Sequence, residues 1–235
     1  MTDKLWMQDS YLKEWGAKIE RVEQGKYVVL DKTAFYPEKG GQPSDFGRII
    51  CSGVEFKVVY GKDLGKDVSH EIEEPGLKEG DGVHCIIDWE RRYRLMQMHT
   101  AAHLLHHVIF KESGALITGN QLGLEQSRMD FNVVDFNREL LTGFADKANE
   151  LIGKELEISV SFLPREEAMK IPDILRLKDK LPKAIDIFRV VDIGGVDVTA
   201  DGGTHVRNTG EMGKIKITGL KNKGANNRRV YFTLE

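Results

Sequence analysis

The sequence predicts an α+β protein, with a β-rich first part followed by a part that mixes helices with antiparallel strands. Three observations carry this reading. Short apolar runs broken by glycine-containing turns fill residues 1–87. One long apolar-periodic run follows Asp88 and continues to about Glu112. Beyond it, helical and strand-like patterns alternate to the last residue. Two domains are therefore expected, 1–87 and 88–235.

In the first part, runs at 27–30, 48–51, 55–60 and 83–87 recur at about the 8–12 residue spacing of a small barrel or sandwich. Between them lies Tyr36-Pro37-Glu38-Lys39-Gly40-Gly41-Gln42-Pro43. The glycine pair lets the backbone approach a ligand closely, or simply makes a rigid turn stiffened by its prolines. Asp88 reads as a helix cap and Gly114 as the stop. Arg91, Arg92 and Arg94 crowd the first turns, the unfavourable end of the helix dipole. They serve domain contacts, an anionic ligand or a solvated face.

Next come a loop holding Thr118, a strand around 128–132, and a helix opened by Asn137 and closed by Gly153. Leu156, Ile158, Val160 and Phe162 alternate with Glu155, Glu157, Ser159 and Ser161, which predicts a half-buried strand. A basic, proline-punctuated stretch covers 164–183, followed by a strand at 188–193, a tight loop at Asp201, and a hairpin of 214–218 with 230–234. Helices on one face of a largely antiparallel sheet is the simplest packing for this half.

Composition excludes several classes. The chain has 235 residues and a formal net charge of −3, so any nucleic-acid surface is local rather than global. No apolar run reaches a membrane span, and Met1-Thr2-Asp3-Lys4 opens no apolar leader, so the expected compartment is the cytoplasm. Two cysteines, Cys51 and Cys85, make no disulfide framework.

The chemistry concentrates in Met96-Gln97-Met98-His99-Thr100-Ala101-Ala102-His103-Leu104-Leu105-His106-His107, which holds four of the seven histidines. Residues four apart share a helix face, so His99 with His103, or His103 with His107, can present two imidazoles to one ion. A helix of hydrogen-bonded, half-buried histidines is the alternative. A second cluster, Asp201-Gly202-Gly203-Thr204-His205, can bring a carboxylate and an imidazole from the opposite side. From Val206 to Glu235, seven Lys or Arg stand against two Glu, concentrated between Lys221 and Arg229 and including Arg228. Such a basic loop is either solvated or tracks phosphates.

These motifs resemble a family. His99-Thr100-Ala101-Ala102-His103-Leu104-Leu105 and Asp201-Gly202-Gly203-Thr204-His205-Val206-Arg207-Asn208-Thr209-Gly210-Glu211 look like the two signatures of the AlaX alanyl-tRNA editing proteins. The 36–43 segment resembles the glycine-rich motif of their N-terminal barrel. The resemblance implies a small β-barrel followed by an α/β editing domain like that of threonyl- and alanyl-tRNA synthetases. It implies one zinc ion on His99, His103, Asp201 and His205, with His106 and His107 outside the shell. It also implies hydrolysis of mischarged tRNA(Ala) at its acceptor end, seryl-tRNA chiefly and glycyl-tRNA second, with no membrane and no obligate protein partner. Thr118 is the candidate partner for serine's hydroxyl. Gly40, Gly41, Gln42, Arg228 and Arg229 are candidate substrate contacts.

One position departs from the family pattern, which usually has cysteine where this chain has Asp201. Carboxylate for thiolate keeps the charge and can ligate at about 2.0–2.2 Å. A harder oxygen ligand admits Mn²⁺ or Fe²⁺ as well. Otherwise Asp201 swings away and leaves three histidines. The other readings are a metal-dependent hydrolase of another small ester, and a tRNA-binding module without turnover.

Overall fold

In a computed structural model, which describes residues 1–134, 136–176, 181 and 185–235, the chain divides into two units. The first comprises residues 1–96 with 121–124, the second 97–120 with 125–235. In the first, β1 (Asp3–Lys4), β2 (Glu14–Glu23), β3 (Tyr27–Leu30), β4 (Lys32–Thr33), β5 (Gly47–Cys51), β6 (Val54–Asp63), β7 (Val68–Ile72) and β8 (Gly82–Ile87) follow in order. β1 and β4 form a short parallel pair. The other six close into an antiparallel barrel, β2-β3-β7-β6-β5-β8. Trp15, Ile19, Leu30, Phe35, Ile49, Ile72 and Cys85 fill it.

The sequence pattern reveals four of these six strands and misses β2 and β7. In β2, charged residues occupy most outward positions and only Trp15 and Ile19 are buried. β7 buries two polar residues, Ser69 and His70, which a hydrophobic pattern cannot anticipate. His70 is satisfied from both nitrogens: its Nδ1–H donates to the Val28 carbonyl at 2.9 Å, and Nε2 accepts the Thr33 hydroxyl at 2.9 Å. Burial, opposed by the Val28 hydrogen bond, pushes its pKa down to about 4.

α1 (Trp89–Ser113) is capped by Asp88, whose Oδ1 accepts the Arg91 N–H at 3.2 Å, and Gly114 closes it at φ +70°. The three arginines of its first turns all make contacts within the first unit. Arg91 donates to the Ser44 carbonyl and lies over the Phe46 ring at 3.9 Å, and Arg94 donates to the Leu124 carbonyl at 2.9 Å. Arg92 is fully buried. It grips the buried Asp45 carboxylate with Nε at 2.9 Å to both oxygens and with a shorter contact from Nη2, and donates to the Ser10 carbonyl at 2.9 Å. Asp45 also accepts the Tyr36 N–H at 2.6 Å.

The remaining elements are β9 (Ile117–Gln121), β10 (Ser127–Phe131), α2 (Arg138–Ile152), β11 (Ile158–Pro164), α3 (Arg165–Ala168), α4 (Pro172–Arg176), β12 (Ile187–Ile193), β13 (Asp197–Ala200), β14 (Ile215–Gly224) and β15 (Asn227–Leu234). They build two antiparallel sheets, β14-β15-β10-β9 and β11-β12-β13, where one was expected. α2 lies against β14, with Asn149 exchanging hydrogen bonds with the Ile215 backbone at 2.7 and 3.0 Å. Ala168 of α3 and Ile174 of α4 cover Phe188 and Val190 on one face of the three-stranded sheet. Of the basic stretch at 164–183, the part beyond residue 176 lies outside the described residues except Leu181, which joins this cluster.

Two sequence expectations are corrected here. The residues read as a basic loop, 221–229, form the outer ends of β14 and β15, leaving only Ala225-Asn226 between the strands. The half-buried strand does form, as β11, yet Val160 and Phe162 are 38 % and 48 % exposed, because alternation puts them on one face of the sheet without covering that part of it.

Arg92→Met should cost about 3–5 kcal/mol, since it strands a buried carboxylate. Arg92→Met with Asp45→Leu should recover most of that loss; urea midpoints at pH 7 read both, and a single variant as stable as wild type refutes the pairing. His70 supplies a pH effect. Its native pKa lies below the unfolded 6.5, so its stabilising contribution is complete above pH 6.5 and is lost as pH falls toward 4, by about 3 kcal/mol at most. His70→Gln should flatten the pH dependence of unfolding free energy across that window; an unchanged slope refutes the assignment.

Candidate metal centre

His99, Thr100 and His103 project from α1, and Asp201 and His205 lie on the loop after β13. One ligand atom from each of His99, His103, Asp201 and His205 falls within 4.8 Å of the others. The rings form a triangle: His99–His205 stack at 4.3 Å between centroids, His99–His103 lie at 5.0 Å and His103–His205 at 4.9 Å. Asp201 Oδ2 is 3.8 Å from Nε2 of both His99 and His103, and Oδ1 is 3.1 Å from His205 Nε2. His99 and His205 are buried, while Asp201 keeps 23 % of its side chain exposed, so the cluster opens toward solvent beside the carboxylate.

The alternation of β13 explains half of this arrangement. Asp197, Thr199 and Asp201 share one sheet face by the period of two. Asp197 Oδ2 accepts the His103 Nδ1–H at 2.8 Å, and the Thr199 hydroxyl is 3.5 Å from the same nitrogen. The Thr100 hydroxyl holds His205 Nδ1 at 3.1 Å and can serve either tautomer. The outer nitrogens of His103 and His205 are thus engaged while the Nε2 atoms converge on Asp201, the arrangement by which outlying carboxylates and hydroxyls orient metal-ligating imidazoles. Arg189 donates to the Asp201 carbonyl at 2.8 Å and completes the surround.

Gly203 has a specific reason to be glycine. A Cβ there would sit 2.2 Å from His99 Cε1 and 2.5 Å from its Nδ1. The loop therefore presses its bare backbone on the ring, and the Gly203 N–H donates to Asp201 Oδ1 at 2.6 Å. The end of the motif is structural as well. Asn208 accepts the Gly210 N–H, and the Glu211 carboxylate accepts the N–H groups of Arg207 and Asn208 at 2.9 Å each, a capping box. Thr209 is buried and bridges Ile152 and Leu156.

Burial sets the protonation of the cluster. It drives His99 well below its ordinary value and His205 to about 4, leaving both neutral and able to ligate. For His103 burial acts the same way, but the hydrogen bond and charge of Asp197 prevail and raise it. Burial would raise Asp201; the surrounding histidines, His99 foremost, hold it well below the carboxylate range. Three imidazoles and one carboxylate at these separations suit a four-coordinate divalent ion. His106, stacked on Phe131, and His107 do not belong to this set, nor does either cysteine among the described residues.

Thr118 is exposed on β9, a strand where a loop was expected, because the chain pairs there with β10. Gly40 and Gly41, both at positive φ, form the turn closed by Lys39 and Gln42, whose backbones bond each other at 3.0 and 3.1 Å. Gly41's carbonyl accepts the Leu122 N–H at 2.7 Å. Arg229 holds Asp130 in a two-pronged pair at 2.7 and 2.8 Å, and Arg228 reaches Asn222 and the Gly224 carbonyl. Sequence reasoning missed Thr100, Asp197, Thr199 and Arg189. The alternation in Asp197-Val198-Thr199-Ala200-Asp201 was the available signal for two of them.

The family of class II (A) tRNA synthetases matches residues 8–91, and the second additional domain of threonyl and alanyl tRNA synthetases matches 188–231. The chain is 49 % identical to alanyl-tRNA editing protein AlaX-M of Methanosarcina mazei, covering all of this chain and 97 % of that one. It is 43 % identical to the AlaX-M of Saccharolobus solfataricus, over the full length of both. It is also 40 % identical to alanine–tRNA ligase of Pyrobaculum neutrophilum, over 92 % of this chain and 25 % of the ligase. With identity at this level over the full length of the chain, it belongs to the AlaX-M family of alanyl-tRNA editing proteins.

Proposed function

We propose that the protein is a free-standing deacylase that cleaves the ester between a wrong amino acid and tRNA(Ala), with serine the main substrate and glycine the second. The observation that carries this reading is the converged set His99, His103, Asp201 and His205, in a chain similar along its length to proteins named for alanyl-tRNA editing. A divalent ion held there, zinc by its donor set, supplies polarisation of the ester carbonyl, an acidified water or an anchor for the α-amino group. The chain's own residues do the rest. Asp197 and Thr100 fix the imidazoles, and the exposed edge of Asp201 gives the ester access.

Serine differs from alanine by one hydroxyl, and a site that hydrogen-bonds it can discriminate by up to ~10⁴–10⁵. Thr118 is assigned that contact. The turn of Gly40, Gly41 and Gln42 is assigned to the substrate, its glycines offering exposed backbone. Lys221, Lys223, Arg228 and Arg229 are assigned to phosphates. Residues 1–87 form the barrel domain of this reading and 88–235 the deacylase domain.

Deacylation of seryl-, glycyl- and alanyl-tRNA(Ala), with metal analysis of the same preparation, tests the proposal. Turnover of seryl-tRNA with alanyl-tRNA spared supports it. Binding without turnover favours a tRNA-binding module, and equal rates on small serine esters favour a general esterase.

Asp201→Ala should weaken metal binding at least about tenfold, since it removes a direct oxygen ligand, while Asp201→Cys should keep the metal and much of the activity. An alanine variant with wild-type metal content shows that three histidines suffice. Replacing Lys221, Lys223 and Arg228 by Gln should weaken tRNA binding and make the slope of log affinity against log salt shallower by about 2–3, one phosphate contact being worth roughly 0.7–0.9. Arg229 is left in place because Asp130 depends on it. An unchanged slope removes this hairpin from the binding surface.

A further inference from the structure

Residues directly opposite one another on paired strands share a sheet face. On β11-β12-β13, Phe162 lies opposite Arg189, and Asp201 continues the row, its N–H donating to the Arg189 carbonyl at 3.1 Å. The next rows of that face are Val160, Val191 and Thr199, then Ile158, Ile193 and Asp197. The β13 column of this face is the metal centre itself. The opposite face, with Phe188, Val190, Val198 and Ala200, belongs to the cluster closed by α3 and α4.

Burial changes along the first two of these rows. Arg189 and Val191 are buried, whereas Phe162 and Val160 stand open at the sheet edge. An aromatic ring and an isopropyl group therefore lie uncovered on the face that carries the site. They are two interstrand spacings, about 10 Å, from the Asp201 column. Exposed apolar pairs on an edge strand are a hazard that proteins ordinarily avoid, so their presence here calls for an occupant.

We propose that Phe162, with Val160 beside it, stacks on the nucleobase of the terminal adenosine that carries the amino acid. The inference rests on the deacylase reading. In that substrate the ester is attached to the ribose of the last nucleoside, so its base must come to rest within one nucleoside's length of the reacting carbonyl. A ring two strands from the ligand column is at that reach, and it lies on the same face. Every tRNA ends in the same nucleoside, so a π-face that accepts any base suffices. Cover by the base also gives the alternation of β11 its missing burial.

The test uses the full chain with Phe162→Ala and Phe162→Trp, and tRNA(Ala) whose terminal adenine is replaced by the fluorescent 2-aminopurine. Stacking quenches that fluorophore without any turnover. Wild type and Phe162→Trp should quench it and Phe162→Ala should not, with metal content equal in all three. KM for seryl-tRNA(Ala) should rise about tenfold or more in the alanine variant, within the range of one stacked base. If all three proteins quench and deacylate alike, the stacking role is overturned and the deacylase reading stands. If wild type deacylates nothing and leaves the fluorophore unquenched, the deacylase reading falls and this inference with it. If Phe162→Ala instead converts a dimer to a monomer in sedimentation with quenching intact, the surface belongs to a second copy and the inference is overturned.

Discussion

A carboxylate and three imidazoles drawn largely out of water form a group of polar atoms that the surrounding chain must satisfy. Asp197 and Thr100 take the outer nitrogens of His103 and His205, and Arg189 takes the Asp201 carbonyl. Inside that surround the four candidate ligand atoms approach within 4.8 Å of one another. The arrangement tolerates little displacement, because Gly203 packs its backbone on the His99 ring with no space for a methyl group. Ring, loop and sheet edge thus hold one another in register.

Two periodicities meet at this point. The 3.6-residue period of α1 puts His99 and His103 on one stripe with Thr100 beside them, and the period of two along β13 puts Asp197, Thr199 and Asp201 on one face. The other face of β13 offers Val198 and Ala200 to the apolar cluster under α3 and α4. A one-residue slip of β13 would bury the carboxylates in that cluster and expose its alanine and valine, so the burial of one face fixes the chemistry of the other.

Both ends of this arrangement were legible in the sequence to different degrees. The helix from its Asp88 cap to Gly114, the capped α2, and the histidine pair with the late Gly-Gly loop all announce themselves through residue type and spacing. Asp197 does not, because it meets His103 across 94 positions of chain. Arg92 looks in the sequence like any solvated helix arginine, and only the fold shows it buried on Asp45. β14 and β15 run on through lysines, asparagines and glycines whose pairing carries no hydrophobic signature. β11 failed in the opposite sense: its alternation is real, but alternation reports which residues share a face, not whether that face is covered.

Asp201 gains a physical meaning from its two oxygens. Oδ2 faces Nε2 of His99 and His103, the position from which it can share an ion with them. Oδ1 meanwhile accepts the Gly203 N–H at 2.6 Å and approaches His205, which ties the turn of the loop to the ligand itself. A thiolate has one donor atom, and with a divalent ion upon it that atom could not also close the turn with comparable strength. Carboxylate therefore preserves the charge of the site while adding a local Asx-type turn that orders the loop before any ion arrives. The same hydrogen bond holds the Gly203 backbone beside His99, so the carboxylate and the close glycine contact belong to one solution for a loop that must present both Asp201 and His205 within five residues.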